Sequence, residues 1–105
     1  NEEIAKRIRQ GIQGVPHITE KRMFGGIVFM YKNKMTIGVV KDQICVRIVG
    51  ERFEQTLTQD HVSPMDFTGK ALKEFVYVSG EGFESGEALQ NWIELGVEHA
   101  IRATS

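Results

Sequence analysis

Nucleophilic catalysis needs a thiol or hydroxyl beside a base, and in this 105-residue chain only Cys45 with His17, His61 or His99 makes a Cys/His set. Cys45 stands inside the strand-forming run Ile44-Cys45-Val46, with no helix amino terminus after it to lower its pKa. It reads as a small thiol filling a strand. Metal ligation fares no better, because the three His and the one Cys fall in four different elements. No H-x-x-x-H, C-x-x-C or H-x-x-E-H spacing joins them. Carboxylates pair at Glu2-Glu3 and at Glu94 and Glu98, but both pairs fall on polar helix faces, where solvation explains them. No catalytic residue, metal or cofactor is expected.

Binding chemistry has more to work with. Lys21-Arg22 stands just before Gly25-Gly26, and glycine backbone N–H groups beside cations are the ingredients of a phosphate cradle. Neither G-x-x-x-x-G-K-[ST] nor G-x-G-x-x-G is present, however, and the glycines fall within a strand-like run, not ahead of a helix. Phe24, Phe29, Tyr31, Lys32, Lys34 and Arg47 mix aromatics with cations as single-strand nucleic-acid binders do, but without the RNP pattern, and most of the aromatics are more simply core. Arg47 is set apart as a charge between Val46 and Ile48. It must find a carboxylate or carbonyls if its face is covered, and otherwise it meets water.

The elements that position these residues follow from hydrophobic spacing. Ile4, Ile8 and Ile12 recur at i, i+4, i+8 and predict a helix over 2–13, ended by Gly14 and Pro16. The run 22–31 predicts a strand, with Gly25-Gly26 inside it marking a bulge or the close approach of another backbone. Short breaks then separate strands at 35–41 and 44–49, which must be antiparallel. A short helix is predicted over 51–59, an edge strand containing Pro64 over 63–67, and a strand over 71–79. Leu89, Trp92, Ile93, Gly96, Val97, Ala100 and Ile101 form one apolar stripe, predicting a helix over 87–103. The order α-β-β-β-α-β-β-α predicts a two-layer α+β fold, an antiparallel five-stranded sheet with helices on one face. Its other face, carrying Cys45 and Arg47, is expected to meet water or a second subunit.

Composition narrows the class. With 41% hydrophobic and 26% charged residues, the chain has the makeup of one globular domain spanning 1–105. It lacks an apolar run long enough for a membrane span and begins with no secretory signal; its single Cys agrees with a reducing compartment, so the cytoplasm is expected. The net charge of −1 conceals a split. Residues 1–53 carry ten Lys/Arg against five Asp/Glu, whereas 54–105 carry three against nine. That split keeps nucleic acid in view, although a pI near 6.3 is far from the basic footprint of a dedicated binder.

The segment Arg22-Met23-Phe24-Gly25-Gly26 resembles the N-terminal domain of the TfoX/Sxy family. Lys34-Met35, Val46-Arg47, Phe67-Thr68-Gly69-Lys70 with Leu72-Lys73, Tyr77-Val78, and Leu89 with Trp92 extend the likeness in order over 18–100. The resemblance implies a secretion-chaperone-like fold of order α-β3-α-β2-α, with no known catalytic residue and no cofactor. It further implies kinship with positive regulators of bacterial competence genes, which act beside the cyclic-AMP receptor protein and carry a further C-terminal helical domain. Because this chain ends soon after its last predicted helix, it reads as a standalone copy. The expected function is a non-enzymatic regulatory or protein-interaction module, a homodimer with a protein partner from the transcription machinery. Its candidate surface comprises Lys21, Arg22, Phe24, Gly25, Gly26 and Arg47. The alternative is direct nucleic-acid binding through the basic first half.

Overall fold

The structure is a computed structural model and describes residues 2–23, 25–48, 50–67 and 70–104. Helix α1 spans Glu2–Gly11, with Glu2 and Glu3 at its positive end and Ile4, Ala5 and Ile8 buried. Four strands follow: β1 (Ile18–Met23), β2 (Gly26–Tyr31), β3 (Lys34–Val40) and β4 (Gln43–Arg47). After them come α2 (Glu51–Leu57), β5 (Val62–Phe67), β6 (Lys70–Val78), a 3-10 turn (Gly80–Phe83) and α3 (Gly86–Thr104). Ser85 caps α3, its hydroxyl accepting a hydrogen bond from the Ala88 amide at 3.0 Å.

The α+β expectation holds, with one correction. The sheet has six strands, not five, in the order β1-β2-β3-β4-β6-β5, all antiparallel. The predicted strand over 22–31 is in fact a hairpin. Gly25, at φ +76, lies in its turn, and β1 begins at Ile18. Gly26 does meet another backbone: a Cβ there would clash with the Val39 carbonyl oxygen. Lys32 and Asn33, both at positive φ, make the two-residue turn into β3.

All three helices contribute to one core on one face of the sheet. Ile4, Ile8, Phe53, Leu57, Trp92 and Ile93 gather there with Phe29, Ile37, Val39, Val46, Val76 and Val78. Gly96 brings α3 close to β3, since a Cβ at that position would lie 2.5 Å from the Thr36 carbonyl oxygen. The opposite face is a second, smaller core within the same chain, made of Val28, Met30, Met35, Cys45 and Met65. Met65 reaches it past a break in register: Pro64 pairs with Val76 but Met65 with Leu72, leaving 73–75 of β6 without partners in β5. The expectation that this face meets water or a second subunit is thereby corrected for its center, where Cys45 and Met65 have no exposed surface.

Candidate functional site

Strand β1, Ile-Thr-Glu-Lys-Arg-Met, is polar from its second residue to its fifth, and every residue after Ile18 is exposed. It is also an outer strand of the sheet, so one row of its backbone N–H and C=O groups points away from β2. Pairing with β2 sets the side chains. Lys21 lies opposite Val28 and Arg22 opposite Ile27, which places these two cations on opposite faces of the sheet. Glu20, on the face of Arg22, accepts two hydrogen bonds from Arg9 of α1, at 2.9 Å from Nε and 3.0 Å from Nη2. This fork holds the Glu20 carboxyl below the usual carboxylate range. A shallow cavity of about 190 Å³ at this edge is lined by Arg9, Glu20, Lys21, Arg22 and Ile27.

The remaining candidate residues are distributed as follows. Gly25 and Gly26 shape the hairpin that ends β1, and Phe24 lies outside the described residues. Arg47 is far from this edge in the sheet, on β4, with only 8% of its surface exposed. Its Nε donates to the Met35 carbonyl at 2.6 Å, its guanidinium stands 4.6 Å from the center of the Phe75 ring, and Nη1 is 3.5 Å from Glu74. Burial presses its pKa down and Glu74 presses it back up. The structure therefore brings Lys21, Arg22, Gly25 and Gly26 to one end of the sheet and puts Arg47 in the interior.

Burial pushes the Cys45 thiol up to about 12, and its cross-strand neighbors are Gly38 and Tyr77. His17 packs edge-on against Tyr31, with ring centers 6.0 Å apart. His61 stands 3.6 Å from Glu81 beside a cleft of about 480 Å³ walled by Trp92 and Asn91, with the Trp92 indole N–H donating to the Gly82 carbonyl at 3.0 Å. Among the described residues, no three His, Cys, Asp or Glu side chains gather as metal ligands would. Among the described residues, no helix is long and apolar enough to cross a membrane.

Sequence reasoning missed β1 as a separate strand and missed a groove along α3. Ile101, the last residue of the predicted apolar stripe, is 42% exposed and lines that groove with Val97, Ile93 and Val15. The position of Ile101 in the last turn of the helix was the available signal. No curated protein matches the chain. The model of the TfoX N-terminal domain matches residues 10–100.

Proposed function

The chain belongs to the TfoX N-terminal domain family, and from that premise we propose that it is a regulatory protein-interaction module, which takes an extended acidic segment of a partner protein along β1. The observation that carries this reading is the β1 edge itself: exposed from Thr19 onward, open on its outer side and marked by Lys21 and Arg22. Strand addition uses such an edge for main-chain hydrogen bonds, and the side chains that alternate across it supply selectivity. With one cation on each face, a strand bearing acidic residues at successive positions would meet both. Transcriptional regulation of the competence type, in the cytoplasm and with a component of the transcription machinery as partner, is the setting we propose from family membership.

Direct nucleic-acid binding is the less favored alternative, because much of the positive charge in the first half is engaged within the fold. Arg7 donates to the carbonyls of Phe83 and Glu84, Arg9 binds Glu20, Arg47 is interior and Arg52 pairs with Glu98. The test is titration of isotope-labeled protein, followed by amide chemical shifts, with an acidic β-forming peptide, its basic counterpart and a single-stranded oligonucleotide. The acidic peptide is expected to shift the amides of 18–23, and Lys21→Glu with Arg22→Glu to weaken it by about tenfold or more. Shifts centered elsewhere, equal response to the basic peptide, or tighter and salt-dependent oligonucleotide binding would overturn the reading.

A further inference from the structure

Helix α3 turns one side to the sheet, and the flank beside it becomes open toward the helix's carboxyl end. Ile93, Val97 and Ile101 follow one another at i, i+4, i+8 along that flank, and their exposure climbs from 1% to 9% to 42%. Gly11, the last residue of α1, and Val15 beyond it form the opposite wall, enclosing a groove of about 460 Å³ that is apolar along its floor. The rim is charged and balanced: Glu94 and Glu98 on one helix side, Arg102 at the end, and Arg52 of α2 at 3.2 Å from Glu98.

We propose that this groove is the docking site for a second copy of the same chain, with the two α3 helices antiparallel about a twofold axis level with residues 98–99. Such an axis exchanges positions on either side of it, so a surface that fits must complement itself. The α3 flank does. Ile101 of each copy comes over Val97 of the other and fills the open end of its groove. Glu94 comes level with Arg102 of the second copy, within about 1.5 Å along the helix axis, and the symmetry forms this pair twice. Glu98 would meet its own counterpart near the axis, but Arg52 accompanies it from within each chain. A rim of two acids and two bases suits a copy of itself better than a polyanion or a strongly basic helix. This surface is separate from β1, so the self-association does not depend on the proposed partner binding.

Sedimentation equilibrium of the full chain, from low micromolar to millimolar concentration, tests the proposal, with circular dichroism confirming that each variant is folded. A monomer–dimer equilibrium is expected. Ile101→Glu, at an exposed position, should raise its dissociation constant by at least about tenfold, equivalent to about 1.4 kcal/mol. Glu94→Arg and Arg102→Glu should each weaken the dimer, and the two together should restore it, which no loss of fold could mimic. A chain that stays monomeric throughout overturns the proposal. So does a dimer indifferent to Ile101→Glu, a double variant no better than the single ones, or a dimer lost on Lys21→Glu with Arg22→Glu.

Discussion

Arg47 shows how much one interior charge depends on a few contacts. Its Nε–H satisfies the Met35 carbonyl and its plane lies near Phe75, whereas Glu74, 56% exposed at its side chain, is a solvent-screened partner. Arg47→Ala strands that carbonyl and is expected to cost about 2–3 kcal/mol in urea unfolding, while Glu74→Ala costs less than about 0.5 kcal/mol. Arg47→Lys keeps the charge but not the planar fork, so it should recover only part of the loss. His99 supplies a pH dependence. Burial, reinforced by Arg52, Arg102 and Arg47 and opposed by Glu98, holds its pKa below 6.5. The unfolded chain therefore takes up this proton first as pH falls. Stability contributed by neutral His99 is whole above that value and is lost as pH drops through the folded pKa. Urea midpoints measured downward from pH 7.5 should decline through this window, and His99→Gln should flatten the decline. Glu20, held low by Arg9, acts in a separate window below its ordinary value of 4.5.

At the scale of the element, the two adjacent glycines of the β1–β2 hairpin do different work. Gly25 has open space where a side chain would go and needs only its positive φ, so Gly25→Ala should cost about 1 kcal/mol and Gly25→Asn less. Gly26 faces the Val39 carbonyl, and any Cβ there must part β2 from β3. Gly26→Ala is expected to cost more than about 3 kcal/mol or to prevent folding, as thermal unfolding of the two variants side by side would show. The sequence left a bulge or a close backbone approach open at Gly25-Gly26, and the second holds at Gly26; the antiparallel run, the Pro64 edge strand and the long last helix were legible. Strand β1 was not, because Thr19-Glu20-Lys21-Arg22 has no alternation to betray it: an edge strand with little to bury leaves no period of two. The partner of Arg47 was illegible for another reason. A carbonyl twelve residues away becomes its acceptor only through the β3–β4 pairing, which no side-chain pattern encodes.

Across the whole molecule, the central strands β2, β3 and β4 serve both cores, with Phe29, Ile37 and Val46 on one side and Val28, Met35 and Cys45 on the other. Neither core can dissolve while the other persists, so unfolding should be one transition. Trp92 fluorescence reports the larger core and the reaction of Cys45 with a disulfide reagent reports the smaller. Their urea midpoints should coincide, with the thiol inert beforehand because burial keeps it protonated to about pH 12. The two outer strands of this sheet are unequal. Along β1 the outer backbone row is continuous, whereas β5 carries Pro64, which has no N–H, beside a break in register. A sheet with one open border among its described strands offers each partner one place to add a strand, so a one-to-one stoichiometry is expected. Edge-to-edge growth into fibers, which requires a donor and an acceptor border on every molecule, has nowhere to continue.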